Sequence, residues 1–218
     1  MILHTPGGGI AAAESIVDYL YRIFGKDIRA IVPQIAMSAG TMLACACKSI
    51  VMAKHSNLGP IDPQMSGLPA AAVKKEIERA LADINADPNR LKIWQFVLNK
   101  YNPTFIGQCE QAVNWAQDFV RKNLEENMFV AESGAASMAD RVVRSLSDID
   151  TTKSHSRHIH IDECISLGLK IEKLEDNKQL QDAVLTVHHC YMHSFGVSGA
   201  AKIVENHLGS GLIDSARR

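Results

Sequence analysis

Two glycine-rich turns hold the residues with chemistry to offer. The first, Pro6-Gly7-Gly8-Gly9, follows a short apolar run and opens an amphipathic stretch. Glycines there bare backbone N–H groups at a helix N-terminus, where an anion is stabilised, including the oxyanion of acyl transfer. The second, Ala36-Met37-Ser38-Ala39-Gly40, carries a hydroxyl between small neighbours. Small neighbours let a substrate carbonyl reach Ser38, and the N–H of Ala39 adds a second oxyanion donor. Serine at a helix start is more commonly an N-cap. The G-x-S-x-G elbow of α/β hydrolases is absent, because Ala36 stands where its first glycine would be. Ser38 therefore has two open readings at this level, nucleophile and cap.

The elements that position these turns alternate. Ile2 to His4 reads as the end of a strand. Ile10, Ala13, Val17, Leu20 and Phe24 recur at helical spacing, and Gly25 closes that helix. Ile28 to Val32 is a strand, Ala39 to Cys47 a helix of small or apolar residues, and Ser49 to Ala53 a further strand. Strand, helix, strand, helix, strand predicts an α/β fold with largely parallel strands. In such a sheet both turns lie at carboxyl ends of strands, the edge where sites form.

The stretch His55 to Gln64 contains two prolines and a glycine, which forbid regular helix. Helices are then expected from Pro69, from Arg90 to Tyr101, from Thr104 as N-cap to Leu124, and over Ser137 to Leu146. His158 to Asp162 leads into a helix ending at Gly168, and Lys170 to Leu174 is a strand. Asp176 or Asn177 caps a helix reaching about Phe195, and Lys202 to Leu208 reads as a last short helix. The division expected is a catalytic domain over 1–175 and a helical extension over 176–218. The first strand is so short that earlier strands are expected to be missing upstream of Met1.

Composition excludes several classes. Lys plus Arg (23) nearly cancels Asp plus Glu (24), so no basic surface argues for nucleic acid. Aromatics are 6% of 218 residues, too few for a base-stacking platform. Five cysteines without a C-x-x-C argue for a reducing, cytoplasmic compartment rather than a disulfide framework or zinc knot. No run is long enough for a membrane span. His155, His158 and His160 sit close together, and His189 and His193 stand four apart on a helix. No H-E-x-x-H accompanies them, so histidines filling a helix face or an interface are the expectation, not a metal site. No dinucleotide fingerprint and no cofactor is implied.

The combination L-H-T-P-G-G-G-I, then A-M-S-A-G-T-M-L-A, then I-V-M-A-K-H-S-N-L-G-P-I-D-P-Q resembles the Clp-protease/crotonase superfamily. It is most similar to the signal-peptide-peptidase branch and, within it, to the serine dehydrogenase proteinases. The likeness runs from about Ile2 to Leu174, with its specific part over Thr5 to Gln64. It implies a crotonase-like spiral of short parallel strands with outer helices. It implies a serine peptidase with Ser38 as nucleophile and the N–H groups of Gly8 and Ala39 as oxyanion donors. It also implies a peptide or protein substrate, a homo-oligomer, and membrane association only through a segment upstream of this chain.

The general base is where the sequence departs from that pattern. The histidine of Clp proteases would fall within Pro60-Ile61-Asp62-Pro63, which has none. Signal peptide peptidases use a lysine, which must be neutral and therefore buried. Lys100 projects among Ile93, Phe96 and Val97, and Lys92 among Gln95 and Asn99. Lys100 is the first choice and Lys92 the second, against the reading that both snorkel at the surface. Asp62 can orient a base, but a loop cap is the favoured reading. Two rivals remain at this level: an interaction module without activity, and an acyl-CoA enzyme of the crotonase type.

Overall fold

The computed structural model describes residues 1–215. The chain divides into two compact units, Met1–Glu172 and the part from Lys173 onward.

In the first unit the chain repeatedly leaves one small sheet and enters another. Ile2 forms a parallel bridge with Ile31, and Thr5 a parallel bridge with Ala36. Helix α1 (Ile10–Phe24) follows, burying Ala13 and Val17, and Gly25 ends it at φ 68°. Strands β1 (Arg29–Val32) and β2 (Ile35–Ala36) come next, then α2 (Ala39–Cys45), β3 (Ser49–Met52) and β4 (Asn57–Leu58). Arg29 to Val32 pair in parallel with Ser49 to Met52. Ile35 and Ala36 pair in parallel with Asn57 and Leu58. Short apolar strands with β-branched residues suit this doubly covered setting.

All seven residues of α2 are buried, and five of them, Ala39, Gly40, Thr41, Ala44 and Cys45, are small. A buried helix end must still satisfy its carbonyls. Asn127 donates to the Ala46 carbonyl at 2.8 Å, and the Tyr21 hydroxyl donates to the same oxygen. Asn127 is delivered by a π-turn over Leu124–Met128.

A tight hairpin, β5 (Gln64–Met65) and β6 (Leu68–Pro69), precedes α3 (Ala70–Ala86). Ser66 and Gly67 make its turn, both at positive φ. Helix α4 (Leu91–Leu98) and the long α5 (Phe105–Asn123) follow. Thr104 stands at the N-cap of α5 but at φ 70° and without a side-chain cap bond. Helix α6 (Ala135–Ser147) packs Ala139, Val142, Val143 and Leu146 into the same core as Ala116, Phe119 and Val120 of α5. The short α7 (Ile149–Thr152) leads to β7 (Ile159–His160), which pairs antiparallel with β4. Helix α8 (Ile161–Leu167) ends on Gly168 at φ 94°. Strand β8 (Ile171–Lys173) then lies beside β3. The architecture is mixed α/β with small, mainly parallel sheets.

The second unit holds α9 (Lys178–Val197), capped by Asn177, whose Oδ1 accepts from the Leu180 N–H at 3.0 Å. After it comes an antiparallel hairpin of β9 (Ala200–Glu205) and β10 (Gly211–Ser215). The helix expected over Lys202 to Leu208, and with it a purely helical extension, is thus corrected. Asn206 Oδ1 accepts from the N–H groups of Leu208 and Ser210, and Gly209 takes φ 77°. Those bonds fold the segment back on itself and give Ile203 and Val204 strand partners in Ile213 and Leu212. Among the described residues no helix is long and apolar enough to cross a membrane.

Candidate active site

The two glycine turns lie side by side because Thr5 is strapped to the second one. Its N–H donates to the Ile35 carbonyl at 3.1 Å, and its carbonyl accepts from the Met37 N–H at 3.0 Å. Its Oγ1 accepts from the Gly7 N–H at 3.1 Å. Gly7 sits at φ +125°, and a Cβ there would lie 2.9 Å from the Ser38 Cβ and 3.2 Å from the Met37 carbonyl oxygen. Only glycine allows the first turn to touch the serine. Gly40 does the same service on the other side, where a Cβ would meet the Thr5 methyl at 2.5 Å. Gly8, by contrast, faces open space.

Ser38 stands at the N-cap position of α2, at φ 53° and ψ −115°, and its side chain makes no cap bond. A non-glycine residue in that region stores of the order of 1–3 kcal/mol unless its surroundings force it. Here they do. The Gly40 N–H donates to the Met37 carbonyl and the Met42 N–H to the Ser38 carbonyl. Thr41, fully buried, lies 2.7 Å from the Ala36 carbonyl and accepts from the Gly59 N–H at 2.9 Å. The N-cap reading of Ser38 therefore describes its position and not its hydroxyl. Ala39 is the first residue of α2, where N–H groups have no partner within the helix. Among the described residues no hydrogen bond takes the Gly8 N–H either.

Gly8 and Ser38 line one recess of about 580 Å³. Its walls include Met42, Ile61 and Met65, and the α5 face bearing Gln108, Gln111 and Trp115. His155 lines it too, and no other lining side chain is ionisable. His155 Nδ1 lies 2.9 Å from Asp62 Oδ1, although the two are 93 residues apart in the chain. A carboxylate only accepts, so Nδ1 carries the proton and Nε2 of the neutral ring is left as a base. Asp62 is 2% exposed. Its backbone is fixed on both sides, by the Ile61 N–H on the Leu146 carbonyl and by the Ala70 N–H on the Pro63 carbonyl. The hydrogen bond to Asp62 raises the His155 pKa above its ordinary value. Partial burial opposes that rise, and the carboxylate's charge adds to it.

Lys100 and Lys92 are not brought to this recess. Both are exposed. Lys100 lines a separate hollow of about 390 Å³ with Ser66, Glu76, Tyr101 and Phe105. There the Tyr101 hydroxyl donates to Glu76, and that bond, more than burial, pushes the phenol up to about 12. Neither Asp62 nor His155 was the sequence's choice for the site. Asp62 reads as a loop cap and His155 as one of several clustered histidines. The only signal for the pair is an aspartate between two prolines, in a segment that cannot be helix.

A family model, that of the ClpP-like SDH-type serine proteinases, matches residues 1–178. An uncharacterized protein of Methanocaldococcus jannaschii is 31% identical over 174 residues, 79% of this chain and 52% of its own length. A second uncharacterized protein of the same organism is 41% identical over 73 residues, 34% of this chain and 25% of its own. The chain thus spans about half the length of the first relative and a quarter of the second. No solved structure matches the chain at a significant level. The strained serine, the neighbouring glycine turn and the family match over most of the sequence agree: the chain belongs to the ClpP-like SDH-type serine proteinases.

Proposed function

We propose that the chain is a serine peptidase in which Ser38 is the nucleophile, His155 the general base and Asp62 the group that orients it. The observation that carries this reading is a single recess bearing both an uncapped, strained Ser38 and a histidine tied to a buried carboxylate. The base is thereby assigned to His155 in place of Lys100 or Lys92.

In the reaction, Nε2 of His155 takes the Ser38 proton as Oγ adds to the scissile carbonyl. The carbonyl oxygen becomes an oxyanion held by the N–H groups of Gly8 and Ala39. The imidazolium then gives its proton to the leaving amine, the C–N bond breaks, and an acyl-enzyme remains on Ser38. Water, deprotonated by the same imidazole, adds to the acyl carbon and releases the acid and Ser38. Asp62 stabilises the imidazolium by its Nδ1 bond and its charge. The resemblance to Clp-type proteases also supports action on peptides by a homo-oligomer, which light scattering would test.

The test is intact-mass labelling with a fluorophosphonate. The expected result is one adduct on the unaltered chain, none on Ser38→Ala, and a strongly slowed adduct on His155→Ala. Absence of any adduct on folded protein would overturn the reading in favour of an interaction module. A serine-independent thioesterase activity would favour the acyl-CoA rival.

A further inference from the structure

The geometry points to Gln64 as a positioning residue that aims the Asp62 carboxylate at His155. This rests on the catalytic reading above and adds a residue to it.

Asp62 has two carboxylate oxygens and almost no solvent. Oδ1 takes His155 Nδ1 at 2.9 Å, and Oδ2 takes Gln64 Nε2 at 2.8 Å. A carboxylate offers no donor, so the amide must present its NH₂ to it. A buried carboxylate with one oxygen unserved is free to rotate about its Cβ–Cγ bond in search of a donor. That rotation loosens its hold on the imidazole. Gln64 opposes it by filling the second oxygen.

Its backbone is held at the start of the hairpin, while the residue itself is exposed. Gln64 is the first residue of β5 and pairs with Pro69 across the two-residue turn of the hairpin. Pro63 before it holds the Ala70 N–H of α3. The side chain lines the recess beside Met65, so the amide that steadies Asp62 stands where a bound substrate would lie. Two cations of neighbouring segments are engaged in other pairs, Lys75 of α3 with Asp148 and Asp150, and Arg157 with Glu163. The donor on Oδ2 is the neutral amide of Gln64.

The experiment has two arms. In a Ser38→Ala background the His155 imidazole is titrated by NMR, with and without Gln64→Leu. Gln64→Leu is expected to lower the His155 midpoint by at least about 0.5 pH, because Asp62 holds the imidazolium less well. In the active chain, Gln64→Leu is expected to cut kcat roughly tenfold with KM within about twofold, and to move the acid limb of kcat/KM down. Met65→Ala on the same hairpin is the control. It is expected to change KM and leave both the limb and the midpoint in place. An unmoved midpoint and limb in folded Gln64→Leu would overturn the inference. The NMR arm needs no turnover, so it decides the Gln64–Asp62–His155 link even if the serine proves unreactive.

Discussion

Two hollows border the same small hairpin, and they differ in what backs them. Gln64 and Met65 face the recess of Ser38, while Ser66 and Leu68 face the hollow of Lys100. The first is backed by a carboxylate that is 2% exposed and by a serine locked at φ 53°. The second is lined by an exposed lysine and by a tyrosine whose hydroxyl is committed to Glu76. Both contain polar groups and apolar walls. Ser66 of the second also sits at φ 53°, so a constrained serine is common to both; the first alone adds a buried carboxylate that holds a histidine, and preorganisation of that kind is what lowers a barrier. An ionisable residue on an apolar helix face is therefore weaker evidence for a base than one held by a buried counter-charge.

The heaviest losses are expected at Ser38 and His155. Ser38→Ala and His155→Ala are each expected to lower kcat/KM for a cleaved peptide by about 10⁴-fold or more. The double variant is expected to be scarcely worse than either single one, because the two act as one unit. Additive losses would show that the two residues work apart.

Asp62→Asn is expected to follow, with a loss of about 10³- to 10⁴-fold. Its effect also shows in the pH profile. As the proposed base, His155 must be neutral, and Asp62 raises its pKa, so activity in the unaltered chain should rise through a pH above the ordinary histidine value of about 6.5. The substitution weakens the hydrogen bond that raises the pKa and removes the carboxylate's charge, so the acid limb should move to lower pH as the rate falls. The same linkage acts on stability. A raised folded pKa contributes stability that is full below the unfolded value and fades as pH rises through the folded one. Thermal melts of Asp62→Asn and the unaltered chain should therefore differ more at pH 5 than at pH 8.

Gly7→Ala is expected to cost about 10²-fold in rate while the chain still folds, the scale of a misplaced reacting group. Its Cβ would press on Ser38 at 2.9 Å, and alanine is strained at φ +125°. Gly8→Ala meets nothing within 4 Å, so its melting temperature should stay close to that of the unaltered chain. Circular dichroism melts beside the labelling rates separate these two outcomes.

How far the sequence could be read follows from the range of the interactions. The glycine turn and Ser38 were legible because their neighbours in the chain make the geometry: Thr5 straps, Gly7 and Gly40 give way, Ala39 starts the helix. Strands β1 and β3 and helices α1 and α5 were legible from periodicity for the same local reason. The His155–Asp62 pair was not legible, because its partners come from loops 93 residues apart and no spacing rule links them. Amphipathicity pointed to Lys100 instead, and it reports only which face of α4 is apolar. That face is exposed at Ile93 (68%) and Phe96 (80%), so apolar neighbours there bring no burial. The hairpin of β9 and β10 was missed because Asn206 and Gly209, which turn the chain, were outweighed by a helix-like run from Lys202.

The smallest expected effect is the one that tests the contrast most directly. Lys100→Ala and Lys92→Ala should each leave kcat/KM and the fluorophosphonate rate within about twofold of the unaltered chain, since exposed side chains away from the reacting atoms seldom matter more. Their pH profiles should overlay that of the unaltered chain, because neither lysine lines the recess of His155. A lysine base predicts the opposite pair of results, a collapse of the rate and a loss of the limb that reports the base. The assay is the same for both lysines and for His155→Ala, run on one preparation at several pH values. A rate lost with Lys100 and kept with His155 would transfer the base to the other hollow, and would require that hollow to close on Ser38 during turnover.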